Sequence, residues 1–519
     1  MSVQALYEEA LGSHKRGDLA AAENLYRQVL EAAPASFAAR HMLGILRAQQ
    51  GALSEALDLL EAAVAQKPEA HDALFNYGHV LKKAGRIDEA LTAFGRALDC
   101  KPDYQTARIA RAELLNLKGN RLRDAGQHGQ ALAVYGDALA DVPHYADALN
   151  NRATALWSLG RFEEALTGFD AALASKPEYV EAWFNRGNAL RDLLRPDEAM
   201  QSYDRATAID PAFAPAYRNK GFCALLRGDF AQGLPLYEWR KRLNPPIESR
   251  TYLQPLWTGR EDIKGKTMFV YIEQGLGDAI QFYRFVGPLL ERGARVILSA
   301  QDGLLRLLEN ASPRIELVDS RTVPAEFDCH VPLMSLPLAL GLTPDLIPAP
   351  VPYLKPEADR AARWKDRIGE KGFKIGISWQ GARGGVTSRA MPLRCFEGLS
   401  RLEGVRLISL QKGFGTEQLA DAPWVERLDE EFDSGPHALL DSAAVMQSLD
   451  LVITLDSALA HLAGALGRPV WLALKQVPDW RWFLGRSDSP WYPSMRLFRQ
   501  QTEGDWARVF AEMEAELCR

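Results

Sequence analysis

Cysteine is scarce in this chain. The five residues, Cys100, Cys223, Cys329, Cys395 and Cys518, are odd in number and scattered over 519 positions, and no two stand at zinc-ligand or redox-motif spacing. That usage fits a reducing cytoplasm. An excess of one charge is also missing. The 61 basic and 67 acidic residues leave a net charge of −6, which gives no electrostatic reason to expect nucleic acid or an anionic membrane as partner. No apolar run reaches the ~18 residues of a membrane-spanning helix. The N-terminal MSVQALYEEALGSHKRGD is amphipathic and acidic, without the apolar core of a signal peptide. No Asp-x-Asp pair occurs anywhere. What is present, 47% apolar and 25% charged residues, is ordinary soluble-protein composition, and 519 residues exceed a single core, so two to four domains are expected.

The first half repeats. Pro34, Pro68 and Pro102 are 34 residues apart, and so are Pro143, Pro177 and Pro211; the one irregular step, 41 residues, implies about seven inserted near 103–111. Gly44, Gly78, Gly119, Gly187 and Gly221 hold one phase. Ala22, Ala56, Ala90, Ala131, Ala165 and Ala199 hold a second, followed four residues later by Leu60, Phe94, Tyr135, Phe169, Tyr203 and Tyr237. Small residues let paired helices approach, aromatics fill the gap between them, and proline ends the second helix. The pattern resembles the tetratricopeptide repeat (TPR), from about residue 3 to 240. Such arrays stack into a superhelix whose concave face binds extended segments. One inner phase carries Asn76, Asn151, Asn185 and Asn219, interrupted by Met42 and Leu117. An amide both donates and accepts, so this column reads as a holder of acceptor-peptide backbone. It also reads as solvated positions, or as groups that hold the helix pairs together. The array is similar to that of the protein O-GlcNAc transferases, which has such an asparagine ladder.

The period changes after Tyr237. The proline-rich stretch 242–259 reads as a connector, and apolar runs alternating with helical segments follow. Strands are expected at 267–273, 294–300, 315–320 and 327–333, and, after the proline-rich 343–356, at 373–379, 405–411, 450–456, 469–474 and 495–500. Buried strands alternating with helices predict parallel sheets, here two. Ligands of such sheets bind outside the carboxyl ends of the strands.

Three stretches carry a resemblance over 267–519: EQGLGDAIQF (273–282), GISWQGARGGVTSRAMPL (376–393) and DLVITLDSALAHLAGALGRPVWLAL (450–474). They are similar to the two-lobed GT-B glycosyltransferases of the heptosyltransferase-like branch. Fused to repeats, the chain looks most like bacterial protein glycosyltransferases, including those that modify flagellin. The fold class implied is α + α/β: an N-terminal TPR α-solenoid followed by a GT-B unit of two Rossmann lobes. The expected divisions are a superhelix of about seven repeats at 1–240, a linker at 241–266, an acceptor-side N-lobe at 267–356 and a nucleotide-sugar-binding C-lobe at 357–519.

The resemblance also assigns residues. Asp278, on the first helical turn after Gly275-Leu276-Gly277, is the candidate catalytic base; it also reads as a plain helix cap, since acids are favoured at helix starts. Gly275 and Gly277 let the backbone pass close to something, which a cap does not require, and are candidates for the nucleotide-sugar site. Asp456, Ser457 and His461 are candidates for the donor's diphosphate and ribose, because the free N–H groups of a helix start suit phosphate. Asp456 and Ser457 equally read as a cap and His461 as a structural group. Ser388 and Arg389, with Arg383, stand where the heptosyltransferases place a lysine that meets the donor phosphates, and equally read as an exposed basic loop. Gln411 and Lys412 look like a nucleotide-contact position of repeat-fused transferases, and Lys412 also reads as a solvated lysine. The aromatic stretch 478–500, with Trp480, Trp482 and Arg481, reads as a core or an interface, one tryptophan facing the cleft; His330 and Glu273 are further cleft candidates. Such transferases need no metal or cofactor beyond the donor.

The implied function is transfer of a sugar from a nucleotide-sugar to a Ser/Thr hydroxyl of an acceptor protein such as flagellin, in the cytoplasm, with inversion. The rivals are a repeat adaptor with a degenerate transferase half and a glycolipid-core transferase. A sugar–lipid acceptor does not need a long peptide-binding superhelix.

Overall fold

The computed structural model describes every residue except 246–249, 348–350, 382–389 and 438. The chain divides into two compact units, Met1–Leu193 and Leu194–Arg519.

The first unit is helical throughout. Helices of 13 and 14 residues alternate, as in Phe37–Gln49 followed by Leu53–Gln66. The second helix of each pair stops two residues before a phase proline: Ala32 before Pro34, Gln66 before Pro68, Cys100 before Pro102, Asp141 before Pro143 and Ser175 before Pro177. The proline ring disfavours helix at the residue preceding it. The glycine and aromatic phases meet in space. A Cβ on Gly44 would stand 2.7 Å from Leu60 Cγ, one on Gly78 2.7 Å from Phe94 Cε1, and one on Gly119 2.4 Å from Tyr135 Cε1. Leu60, Phe94 and Tyr135 are fully buried as a result, each contributing about 1.5–3 kcal/mol of apolar burial. The seven extra residues lie within one helix: Gln105–Asp124 has 20 residues where its counterparts have 13.

The second unit begins inside the repeats. Helices Pro196–Ile209, Ala214–Leu226 and Phe230–Tyr237 belong to it, so the division falls before residue 240. The physical reason is aromatic packing: Phe230 has its ring centroid 6.3 Å from Trp480, 5.9 Å from Phe483 and 6.2 Å from Trp491, which joins this helix to the α/β core. The stretch expected as linker also carries structure. Trp257 N–H donates to His330 O (2.8 Å) and His330 N–H to Pro255 O (3.1 Å), extending the edge of a sheet.

That sheet has four parallel strands, β1 (Thr267–Tyr271), β2 (Arg295–Ala300), β3 (Ile315–Asp319) and β4 (Cys329–Pro332), in the order β3-β2-β1-β4. A second parallel sheet contains β5 (Phe373–Ile377), β6 (Val405–Ser409), β7 (Val425–Glu426), β8 (Leu451–Leu455), β9 (Val470–Leu474) and β10 (Met495–Arg499), in the order β10-β9-β8-β5-β6-β7. Among the described residues all strands lie where the apolar runs predict except the two-residue β7, which is too short to leave a signal. Every residue of β8 is buried, as expected of a strand covered on both faces. Chain order reverses at β1/β4 and at β5/β8, the places where open parallel sheets bind ligands beyond the carboxyl ends of their strands. Asp278 follows β1 and Asp456 follows β8, so both candidates stand beyond the strand ends at these reversals. Among the described residues no helix is long and apolar enough to cross a membrane.

Candidate functional site

Two short helices meet at the site. One is Leu276–Phe282, entered from β1 through Gly275; the other is Ala458–Ala465, entered from β8 through Ser457. They pack directly on one another. A Cβ on Gly277 would stand 3.0 Å from His461 Cδ2 and 3.4 Å from Ala458 Cα. The close approach indicated by the glycine turn is therefore to the start of the second helix. Ser457 sits at the N-cap position with extended backbone, yet its side chain makes no capping bond. Its hydroxyl lies 3.4 Å from that of Thr454. Asp456 is half-buried at the end of β8. His461 is buried, with Nδ1 3.0 Å from Tyr492 Oη and its ring stacked on Trp482 at 5.4 Å.

Asp278 does two things at once. Its Oδ2 accepts from the Gly275 N–H (3.1 Å), closing a helix cap, and its Oδ1 accepts from Arg481 Nη2 (2.6 Å). The side chain keeps 24% of its exposure, while that of Arg481 keeps 7%. Burial alone would lower the Arg481 pKa; the carboxylates of Asp479 and Asp278 outweigh it, and the net shift is upward. The guanidinium is thus a permanent cation beneath the turn. A second buried cation lies nearby. Arg240 reaches Glu273 with two N–H groups (3.0 and 2.8 Å) and Ser335 with a third bond (2.8 Å). Glu273 and Glu238 likewise overcome the burial penalty and raise the Arg240 pKa. Burial also raises Tyr237, whose hydroxyl accepts from the Gln274 amide at 3.3 Å.

Several candidates take different roles from those the sequence indicates. Glu273 does not face the cleft: its side chain has no exposure and is consumed by Arg240. Trp480 and Trp482 are 2% and 0% exposed, so neither lines a cleft; aromatic packing wins over exposure there. His330 lies on β4 against Tyr252 and Tyr271, with its pKa lowered by burial. Gln411 is buried and its amide is fully engaged. Its Oε1 accepts from Ser378 Oγ, Trp379 N–H and Gln380 N–H at 3.0–3.1 Å, and its Nε2 donates to Gln380 O (2.9 Å) and Phe414 O (2.8 Å). The side chain shapes the ends of β5 and β6 and has no hydrogen left for a nucleotide. We expect Gln411→Leu to destabilise the second unit by at least ~2 kcal/mol, since each orphaned buried polar group costs about 1–3 kcal/mol. Chemical denaturation of the purified chain checks this, and an unchanged midpoint would refute the bracing role. Lys412 is exposed on its loop, and its Nζ donates to Phe432 O. Ser388, Arg389 and Arg383 lie outside the described residues.

In the first unit the asparagines join neighbouring repeats. Asn76 Nδ2 donates to His41 Nε2 (3.0 Å), Asn151 Nδ2 to Asn116 Oδ1 (3.0 Å) and Asn185 Nδ2 to Asn150 Oδ1 (3.1 Å). His14 with Gln49, and Trp157 with Asp192, repeat the same 35-residue step. The ladder runs between the first helices of neighbouring repeats, with the three amides half-buried. Asn219, in the second unit, is buried and accepts from Arg218 Nε at 3.2 Å.

The tetratricopeptide repeat model matches residues 7–71, 41–105, 75–120, 116–169 and 151–214. The model of glycosyltransferase family 9 (heptosyltransferase) matches 420–474, which contains β8, Asp456, Ser457 and His461 but not Asp278. These matches support a tetratricopeptide-repeat glycosyltransferase. The chain is also similar to the protein FlbA of Caulobacter vibrioides, 28% identical over an alignment of 327 positions that covers 56% of this chain and 53% of FlbA. It therefore spans about half the length of the curated relative it matches. Among solved structures it is similar to YrrB, a TPR protein with an unusual peptide-binding site (21% identity, 38% of this chain and 97% of that one, TM-score 0.30). It is likewise similar to pilF of Pseudomonas aeruginosa (17% identity, 42% and 96%, TM-score 0.30).

The Arg481–Asp278 pair has no signature in the sequence. The partners are 203 residues apart, and only the packing of the segment after β9 against the helix after β1 joins them.

Proposed function

We propose that this glycosyltransferase acts on protein. The repeats take the acceptor, and the β8 crevice takes a nucleotide-sugar, with its diphosphate at the start of the helix Ala458–Ala465. The observation that carries this reading is the contact between the helix start matched to family 9 and the Asp278 turn, where a Cβ on Gly277 would stand 3.0 Å from His461 Cδ2. Asp278 takes the proton of an acceptor Ser/Thr hydroxyl as that oxygen bonds to the anomeric carbon. The bond from that carbon to the diphosphate oxygen breaks, and the nucleoside diphosphate leaves with the electron pair. One displacement inverts the centre. In a two-lobed GT-B arrangement helix N–H groups and basic side chains receive the leaving charge, so no metal is called for. Flagellin in the cytoplasm is the acceptor we assign, on the resemblance of the repeat–transferase fusion to flagellin-modifying transferases.

The test is the intact mass of flagellin from cells with and without the gene. We expect the flagellin of the deleted strain to be lighter by whole sugar units. Identical masses would sink the flagellin reading. A second reading, a non-catalytic adaptor, draws on one observation: both Asp278 oxygens already have partners. Binding of nucleoside diphosphate by the purified chain without any transfer would favour it.

A further inference from the structure

The stretch Asp479-Trp480-Arg481-Trp482 has no assigned role in the reaction, and Arg481 is its best-connected member. Its Nη2 donates to Asp278 Oδ1 (2.6 Å), its Nε to Gln281 Oε1 (2.6 Å) and its Nη1 to Asp479 Oδ1 (2.7 Å). Asp278 and Gln281 are three residues apart, one turn of the helix Leu276–Phe282, so a single guanidinium grips that turn at two points. Asp479 anchors the guanidinium on its own side. The Phe282 and Trp480 rings lie against it, with centroids at 5.3 and 4.8 Å, and Met334 Sδ is 3.9 Å from Nη2. A planar fork held on every edge fixes the position and the rotation of the carboxylate it binds.

We propose that Arg481 is a positioning residue for the proton transfer. It commits Asp278 Oδ1 to the buried guanidinium and so leaves Oδ2, on the Gly275 side, as the oxygen that takes the proton. This rests on the reading of Asp278 as the base. Arg481 is buried and acts through Asp278. A cap needs only the Gly275 bond, and a structural ion pair in this core needs only Asp479. The third arm, to Asp278, is the one that bears on the reaction.

The test uses the purified full chain, unmodified flagellin from the deletion strain as acceptor, and a deproteinised extract of the source cells as donor pool, with initial rates of flagellin mass gain read over a series of flagellin concentrations. Arg481→Lys keeps the charge but not the fork. It is expected to lower kcat about 10–100-fold, the scale of a misplaced reacting group, with KM for flagellin unchanged. A wild-type kcat in Arg481→Lys, or a loss confined to KM, overturns the proposal. Hydrogen exchange supplies an arm that needs no activity. The amides of Gly275 and Ala279, bonded to Asp278 Oδ2 (3.1 Å) and Gly275 O (3.1 Å), are expected to exchange at least tenfold faster in Arg481→Lys than in wild type, with β1 unchanged; equal exchange overturns the proposal. If even the wild-type chain leaves flagellin unchanged, the flagellin reading has failed and the exchange result alone decides the positioning role.

Discussion

Arg240→Met is expected to destabilise the second unit by about 3–5 kcal/mol, the cost of leaving one buried charge without its partner. Neither side chain of the Arg240–Glu273 pair has any solvent exposure, so solvent does not screen the loss. Methionine fills much of the volume but returns none of the bonds. Glu273 then keeps a charge in a low-dielectric core or takes a proton, and Ser335 loses a donor. The effect reaches beyond stability. Arg240 follows the helix Phe230–Tyr237 directly, and Glu273 opens the turn that carries Asp278, so the pair ties the last repeat helix to the candidate catalytic turn. The double variant Arg240→Met, Glu273→Met is expected to be more stable than Arg240→Met alone, because an apolar pair of similar volume replaces a buried ion pair at little cost. Urea unfolding of the three proteins measures this. A single variant within ~1 kcal/mol of wild type would show that the pair holds nothing together.

How far the sequence could be read follows from the range of each interaction. The repeats are legible because a 34-residue period is a local pattern written six times, and the phases it picks out, Gly78 against Phe94 among them, are the ones that touch. Nine of the ten strands among the described residues are legible as apolar runs. The break between the units was not, because it depends on Phe230 meeting Trp480 and Trp491 some 250 residues later. The candidate site shows the same division. The glycines before Asp278 announce a close approach, but the sequence does not say that the partner is His461. Gln411 is visible at a strand end, where a ligand contact and a brace look alike in the sequence; only its five bonds distinguish them. A buried polar side chain is defined by its partners, and those partners are rarely near it in the chain.

The central claim is that Asp278 is a base and not only a cap. Asparagine is nearly isosteric with aspartate and leaves an acceptor for the Gly275 N–H or for Arg481, while Asp479 continues to neutralise the guanidinium. The fold should therefore survive, and the ability to take a proton should not. Loss of a positioned base costs a factor of about 10²–10⁴ in rate. The decisive measurement is the intact mass of flagellin co-expressed with the wild-type chain or with Asp278→Asn, alongside the thermal transition of each purified protein. The account predicts a folded Asp278→Asn chain whose sugar transfer has fallen by at least about a hundredfold. A folded Asp278→Asn chain that modifies flagellin as fully as wild type would contradict it.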